Sequence, residues 1–296
     1  MIVSHTLDIS GGEYVAALGT FDGVHIGHRG VIDAALRSGL PVAVVTSDVN
    51  PRAALGGCCG RILSPTLCDE ELERLGVSAV VRLDFNSIRS LAPEQYLDML
   101  RDGLRAHGFV CGFNFRFGKN AVGTPATLSQ YATAHDCFFS ECAEVDIDGG
   151  AVSSSRIRDA IACGDMQAAC RLLGRCYAID FDVIHGDARG RTLGFPTANQ
   201  VYGDEYIVPR HGVYASDVTV NGVVYRSVTN IGTRPTFCDG AVVAETHVIG
   251  ADVNLYGKKI KVELLARLRD EIKFSSANDL IRQVERDKAA SLDYKR

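Results

Sequence analysis

The chain has 296 residues, enough for two domains of ordinary size, since single cores usually stop growing near about 250 to 300 residues. Hydrophobic residues make up 46% and charged residues 23%, with 30 glycines and 8 prolines, a balance that excludes disordered and collagen-like chains. A formal net charge of -5 argues against a nucleic-acid binder, and no stretch approaches the roughly 18 apolar residues of a membrane span.

The opening MIVSHTLDISGGEYV has neither the basic start nor the apolar run of a secretory signal, so a cytoplasmic protein is expected. The ten cysteines form no CxxC pair and no zinc pattern, which reads as reduced, buried or incidental thiols.

Short apolar runs alternate with helical patterns through the first half. YVAAL (14–18) is followed by a helix over about 27–37, PVAVVT (41–46), the segment TLCDEELERLG capped by Gly76, and AVVRL (79–83). A helix opened by Pro93, the run FVCG (109–112), a helix near 125–134 and CFFSEC continue the rhythm. This βαβα order predicts a parallel sheet with crossover helices, whose ligands bind beyond the carboxyl ends of the strands. Two short helices follow, over about 155–163 and 165–173, ended by Gly164 and Gly174 and separated by the N-cap candidate Asp165.

Beyond about Cys176 the period changes to two. YAIDFDVIHG, GVYASDVTV, VVYRSVTNI, AVVAETHVI and KIKVELLARL read as strands, the second and third joined at Asn221-Gly222, a type I' hairpin signal. A small antiparallel β-barrel is expected, with a last helix whose Ser276 and Asp279 have capping-box spacing and whose Leu280, Ile281 and Val284 form its apolar face. The domains are therefore set at 1–174, α/β and Rossmann-like with a parallel sheet, and 175–296, the β-barrel with a terminal helix.

In the first domain, TFDGVHIGH (20–28) places His25 and His28 at a helix start after an apolar strand. Unpaired amides and the positive end of the helix make this a phosphate site, and imidazole donors there can stabilise charge that develops on a phosphate. Alone, such a histidine is more often a cap or a surface residue. Gly112-Phe-Asn-Phe-Arg-Phe-Gly118 sets aromatics around Asn114, suited to a stacked flat ring or equally to a core strand and turn. Ser153 to Arg158 reads alone as an N-cap run with a solvated arginine; as a site, Ser154 and Ser155 offer hydroxyls and helix-start amides, and Arg158 a forked cation.

In the second domain the run His185 to Asn199 is rich in glycine and arginine and lacks the GxxxxGK of a Walker loop. Thr197 and Asn199 offer hard oxygens to Mg²⁺. A carboxylate such as Glu245, on an alternating strand, is more often a solvated outward residue.

Gly19-x-Phe21-Asp22-Gly23-x-His25-x-Gly27-His28 resembles the signature of the HxGH nucleotidyltransferases, in the form found in bacterial bifunctional riboflavin kinase/FAD synthetases. The Gly112–Gly118 and Val152–Arg158 segments, the string Gly190-Arg191-x-Leu-Gly194-Phe-Pro196-Thr197-Ala-Asn199, Asn230-Ile-Gly-Thr-Arg-Pro-Thr-Phe237 and Glu245-Thr-His247 are similar to that family's later motifs, in order, from about Val15 to Lys288.

The resemblance implies FMN formation from riboflavin and ATP, then FAD formation from FMN and a second ATP with release of pyrophosphate. It places Gly19, Phe21, Asp22, Gly23, His25, His28, Asn114, Ser154, Ser155 and Arg158 at the adenylyl-transfer ATP. Gly186, Gly190, Arg191, Gly194, Pro196, Thr197 and Asn199 fall at the kinase ATP, with Thr197 and Asn199 also ligating its Mg²⁺. His25 and His28 would stabilise the adenylyl transition state, and Glu245 would take the proton from the riboflavin hydroxyl. The expected partners are riboflavin, FMN and ATP, with no nucleic acid and no membrane; the sequence sets no oligomeric state.

Three departures stand out. Ser47-Asp-Val-Asn-Pro51 replaces the family's Phe-Glu-Pro-His-Pro-like stretch, Phe181 stands where glycine is common, and Gly250-Ala251 replace an acidic-aromatic pair. The first keeps a single-activity kinase open as an alternative. A flavin-binding regulator without catalysis is the other, opposed by the intact His25, His28, Thr197, Asn199 and Glu245.

Overall fold

The computed structural model describes the chain except for residues 11, 55, 58–59, 186–192, 235–239, 252, 254 and 296, and the side chain at position 52. The chain forms two compact units. One is Met1–Arg61 with Pro65–Ser154; the other is Ser155–Arg296 with Ile62–Ser64.

The first unit holds a six-stranded parallel sheet in the order β1-β4-β3-β2-β5-β6. Its strands are β1 (Ile2–Ser4), β2 (Tyr14–Leu18), β3 (Val42–Ser47), β4 (Ala79–Leu83), β5 (Ala106–Gly112) and β6 (Phe138–Cys142). Every residue of β2 is buried, as an apolar run covered on both faces requires. Val15 and Ala17 pack with α1 (Ile26–Leu36), whereas Tyr14, Ala16 and Leu18 pack with α5 (Pro93–Gly103) and α6 (Pro125–Ala134). The shorter helices α2 (Pro51–Ala54) and α4 (Phe85–Ile88) follow β3 and β4, and α3 (Pro65–Arg74) ends at Gly76, which has φ 89°. The strand order reverses at β2: β3 and β4 lie on one side, β5 and β6 on the other. The crevice beyond the carboxyl ends of β2 and β5 is therefore the topological switch point, where ligands bind in such sheets. A small hairpin, β7 (Asp146–Ile147) and β8 (Gly150–Ala151), precedes α7 (Ser154–Cys163).

In the second unit, α8 (Met166–Leu173) starts at Asp165, whose carboxylate accepts from the Ala168 amide at 2.9 Å. Seven strands follow in one antiparallel sheet that curls as a half-barrel, in the order β10-β11-β14-β13-β12-β15-β9. They are β9 (Tyr177–Ile179), β10 (Val183–Ile184), β11 (Ala198–Val201), β12 (Gly212–Val220), β13 (Val223–Thr233), β14 (Val242–Val248) and β15 (Lys261–Arg269). Asn221 and Gly222 have φ 51° and 79°, as the type I' hairpin between β12 and β13 requires. The departure at Phe181 is absorbed by packing, since its ring lies edge-on to Tyr202 at 5.1 Å.

The final helix, α9 (Ala277–Asp293), is capped by Ser276, which accepts from the Asp279 amide at 3.2 Å. Its fully buried residues are Asp287 and Ser291, while Leu280, Ile281 and Val284 are half-buried. Polar anchors thus hold the centre of its contact. Arg269 donates from Nε and Nη2 to the Asp287 carboxylate, and Ser291 Oγ donates to the Ser227 carbonyl at 2.7 Å.

Candidate functional site

In the first unit the strand β2 delivers the chain into a strained loop at the switch point. Phe21, Gly23 and Val24 have φ 48°, 85° and 39°, a conformation that a β-branched residue such as Val24 adopts only where its surroundings impose it. They do so here: the Phe21 ring and Val24 are buried, and the Val24 amide donates to the Phe21 carbonyl. Gly19 lacks a side chain where a Cβ would meet the Phe21 ring at 3.1 Å. The loop re-aims the chain so that His25 becomes the N-cap of α1.

Each histidine then caps the other's backbone. His25 Nδ1 accepts from the His28 amide and His28 Nδ1 accepts from the His25 amide, both at 3.3 Å, a capping box built from two imidazoles. The rings stack with centroids 3.6 Å apart, and Phe21 lies 5.0 Å from His28. A ring that accepts at Nδ1 carries its proton on Nε2, so both imidazoles present Nε2–H donors at a helix N-terminus. The arrangement contains the helix cap that the sequence allows for a histidine at this position.

Asp22 and Ser154 are joined here, the Ser154 Oγ donating to the Asp22 carbonyl at 2.9 Å. Ser154 and Ser155 open α7, and Arg158 lies one turn further along it. Asn114 occupies an exposed turn after β5, the strand that pairs with β2 through Leu18 and Cys111. Phe113 to Phe117 do not continue the strand; Phe115 and Phe117 stack at 5.5 Å, with Phe117 buried.

The departing loop after β3 is held by hydrogen bonds within itself and to Arg61 and Phe85. Asp48 Oδ1 accepts from the amides of Val49 and Phe85 at 2.8 and 3.1 Å, its carbonyl accepts from Arg61 Nη2 at 2.7 Å, and Ser47 Oγ donates to the Val49 carbonyl. Pro51 then starts α2.

In the second unit, Gly186, Gly190 and Arg191 lie outside the described residues, as do Pro235 to Phe237 of the Asn230 segment. Gly194 has φ 86°, and Pro196 and Thr197 lead into β11. Asn199 is the register partner of Glu245, which is in turn the partner of Asn230, so the three stand in one row across β11, β14 and β13. Asn199 is buried and Glu245 half-buried, with Arg234 ion-paired to the Glu245 carboxylate. His247 donates from Nδ1 to the Pro196 carbonyl at 2.9 Å, and burial lowers its pKa.

A small open cleft lies beside this row, lined by Val183, Pro196, Thr197, Thr246, Leu255 and Tyr256. Thr246 alternates with Glu245 along β14, so Thr246 faces the cleft that Pro196 and Thr197 border, while Glu245 and its register partner Asn199 point to the opposite face of the sheet. Sequence reasoning did not single out Thr246; its hydroxyl ends a buried chain through Thr229 and Ser216 to Ser227, with links of 2.7 to 2.9 Å.

Thr197 and Asn199 supply neutral hard oxygens, and no group of three or more His, Cys, Asp or Glu suited to a metal occurs among the described residues. That donor set fits Mg²⁺ arriving with a nucleotide, since Mg²⁺ usually takes few protein ligands and completes its shell with phosphate and water. No helix among the described residues is long and apolar enough to cross a membrane.

Comparison with known proteins covers both units. The FAD synthetase family model matches residues 9–156 and the riboflavin kinase (flavokinase) family model residues 173–295. A bifunctional riboflavin kinase/FMN adenylyltransferase of Bacillus subtilis is 38% identical, over 95% of this chain and 92% of its own length. One from Escherichia coli K12 is 34% identical, over 95% and 92%. A solved Streptococcus pneumoniae structure, described as a macrolide-efflux protein, superposes with a TM-score of 0.89 at 31% identity, covering 99% of each chain.

Proposed function

The chain belongs to the bifunctional riboflavin kinase/FMN adenylyltransferase family, and from that premise we propose that separate sets of residues carry its two reactions. The protein phosphorylates riboflavin to FMN with ATP, and adenylylates FMN to FAD with ATP, releasing pyrophosphate. We assign the adenylyl transfer to residues 1–174 and the kinase to 175–296.

In adenylyl transfer, FMN attacks the α-phosphate of ATP and charge grows on the phosphoryl oxygens. His25 and His28 donate Nε2–H to that charge, pre-positioned by their mutual capping, so no reorganisation is needed when the charge appears. Gly19, Phe21, Asp22 and Gly23 shape the loop, Asn114 contacts the nucleotide, and Ser154, Ser155 and Arg158 hold its phosphates. The reciprocal histidine cap at the switch point is the observation that carries this assignment.

In the kinase, Glu245 accepts the proton of the riboflavin hydroxyl as it attacks the γ-phosphate of ATP. Gly186, Gly190, Arg191, Gly194 and Pro196 are assigned to that ATP by their place in the motif, and Thr197 and Asn199 would hold its Mg²⁺. The metal, when bound, offsets charge on the transferring phosphoryl group. The row Asn199–Glu245 favours this reading, because it sets a metal ligand beside the base on adjacent strands. The substrates are small molecules free in the cytoplasm.

Product analysis tests the assignment. With riboflavin, ATP and Mg²⁺, the intact protein yields FMN and FAD. His28→Ala removes FAD and spares FMN; Glu245→Gln removes FMN from riboflavin but still converts supplied FMN to FAD. Unchanged FAD formation in the first variant, or unchanged FMN formation in the second, overturns the corresponding role.

A further inference from the structure

Two cysteines outside both proposed sites are brought together by a built chain reversal. Cys170 lies in the last turn of α8 and Cys176 immediately precedes β9. Between them Gly174 adopts φ 70°, its amide donating to the Cys170 carbonyl at 2.8 Å, and Arg175 Nη1 donates to the Leu173 carbonyl at 3.2 Å. The left-handed glycine turns the chain back along the helix it has just left. The Cys176 sulfur thereby comes to rest 3.9 Å from that of Cys170.

Both residues are half-buried and so are only partly shielded from solvent. A disulfide needs its sulfurs about 2.05 Å apart, a closure that side-chain rotation can supply when the two thiols already face each other. Cys111, by contrast, is buried and, among the described residues, has no second sulfur in contact with it.

We propose that Cys170 and Cys176 are an oxidisable dithiol that a peroxide closes into a disulfide, clasping α8 to the first strand of the half-barrel. One thiolate attacks the peroxide, becoming a sulfenic acid as the O–O bond breaks and water leaves. The second thiol attacks the sulfenic sulfur, the S–S bond forms, and the hydroxyl departs with a proton as a second water. Two thiols are oxidised and one peroxide is reduced to two waters. The clasp secures a helix that buries Met166, Ala169, Leu172 and Leu173, and a strand whose Tyr177 pairs with Leu264 of β15.

The sequence provides its own readout. Arg171 and Arg175 lie between the cysteines, so trypsin separates peptide 159–171 from peptide 176–189 in the reduced chain. After treatment of the full-length protein with dilute hydrogen peroxide and alkylation, the two peptides remain joined, two hydrogens lighter, and dithiothreitol releases them. Cys163 shares the first peptide, so Cys163→Ser, or fragmentation of the wild-type peptide, places the bond at Cys170. The thermal midpoint of the oxidised protein rises by a few degrees and returns on reduction. The proposal is overturned if these peptides stay separate while either cysteine accumulates sulfenic or higher acids, if the bond lies at Cys163, or if Cys170→Ser still gives the joined pair.

Discussion

Gly27 leaves room for the His25 ring: a Cβ at position 27 would lie 3.2 Å from both Cε1 and Nδ1 of that imidazole. The glycine inside the His-x-Gly-His string is therefore a packing requirement of the first histidine. A Gly27→Ala side chain pushes the ring away from the His28 amide that it caps, and with it the partner stacked at 3.6 Å. Alanine also favours the helix by up to about 1 kcal/mol, so stability changes little while geometry suffers. FAD formation is expected to fall roughly tenfold to a hundredfold, the usual scale for a displaced catalytic group. FMN formation continues at the wild-type rate, and unaltered FAD formation would refute the packing argument.

His247 gives the second unit a pH dependence of defined sign. Burial holds its pKa below the ordinary 6.5 and the Lys288 cation adds to this, while the hydrogen bond to the Pro196 carbonyl and the Glu285 carboxylate oppose it. As pH falls through 6.5 the unfolded chain takes a proton that the folded ring still refuses. The stabilisation is thus complete above 6.5 and is lost as pH falls through the folded value. Thermal unfolding between pH 8 and 5 should show a steeper decline in the wild type than in His247→Asn, whose amide keeps a donor toward Pro196. Equal slopes would remove His247 as the cause.

Much of this architecture is legible in residue order because local preferences and tertiary packing agree. AVVRL and GVYASDVTV occupy β4 and β12 without a shift, and Asp165, Gly174 and Asn221-Gly222 perform the local roles that their chemistry suggests. Less legible were elements too short to carry a period: β1, α2, α4 and the β7–β8 hairpin. The histidines were visible as a pair at a helix start, but their reciprocal cap depends on positive φ at Phe21 and Val24, which no side-chain preference announces. Thr246 was missed for a related reason. A threonine on an alternating strand signals nothing by itself, and its hydroxyl gains meaning only from Thr229 on the next strand.

Docking of the last helix should prove sensitive to one carboxylate. Asp287 is almost wholly buried and receives Nε and Nη2 of Arg269 together with Nε2 of Gln283 at 2.9 Å. Asp287→Ala leaves a guanidinium confined without its counter-charge, an omission that costs about 3 to 5 kcal/mol in buried pairs. Arg269 retains some solvent contact, so the lower end of that range applies. A fall in the thermal midpoint of several degrees is expected in calorimetry, and a change too small to resolve would show that the apolar face of α9 suffices.

The hydroxyl chain that ends at the cleft beside Thr197 offers a test of whether its wall is held from inside the half-barrel. Thr229 stands between Ser216 and Thr246, and all three are essentially inaccessible to water. Thr229→Val preserves shape but removes the middle hydroxyl. Ser216 keeps its bond to Ser227 at 2.8 Å, so the loss falls chiefly on Thr246, at a cost of about 1 to 3 kcal/mol for a buried polar group deprived of its partner. Because Thr246 lines the cleft beside Thr197, its side chain then turns toward whatever polar group the cleft admits. The expected outcome is a lower thermal midpoint together with a severalfold change in the kinase KM for ATP, while kcat and FAD formation from supplied FMN hold steady. A purely structural hydroxyl would lower the midpoint and leave that KM where it was.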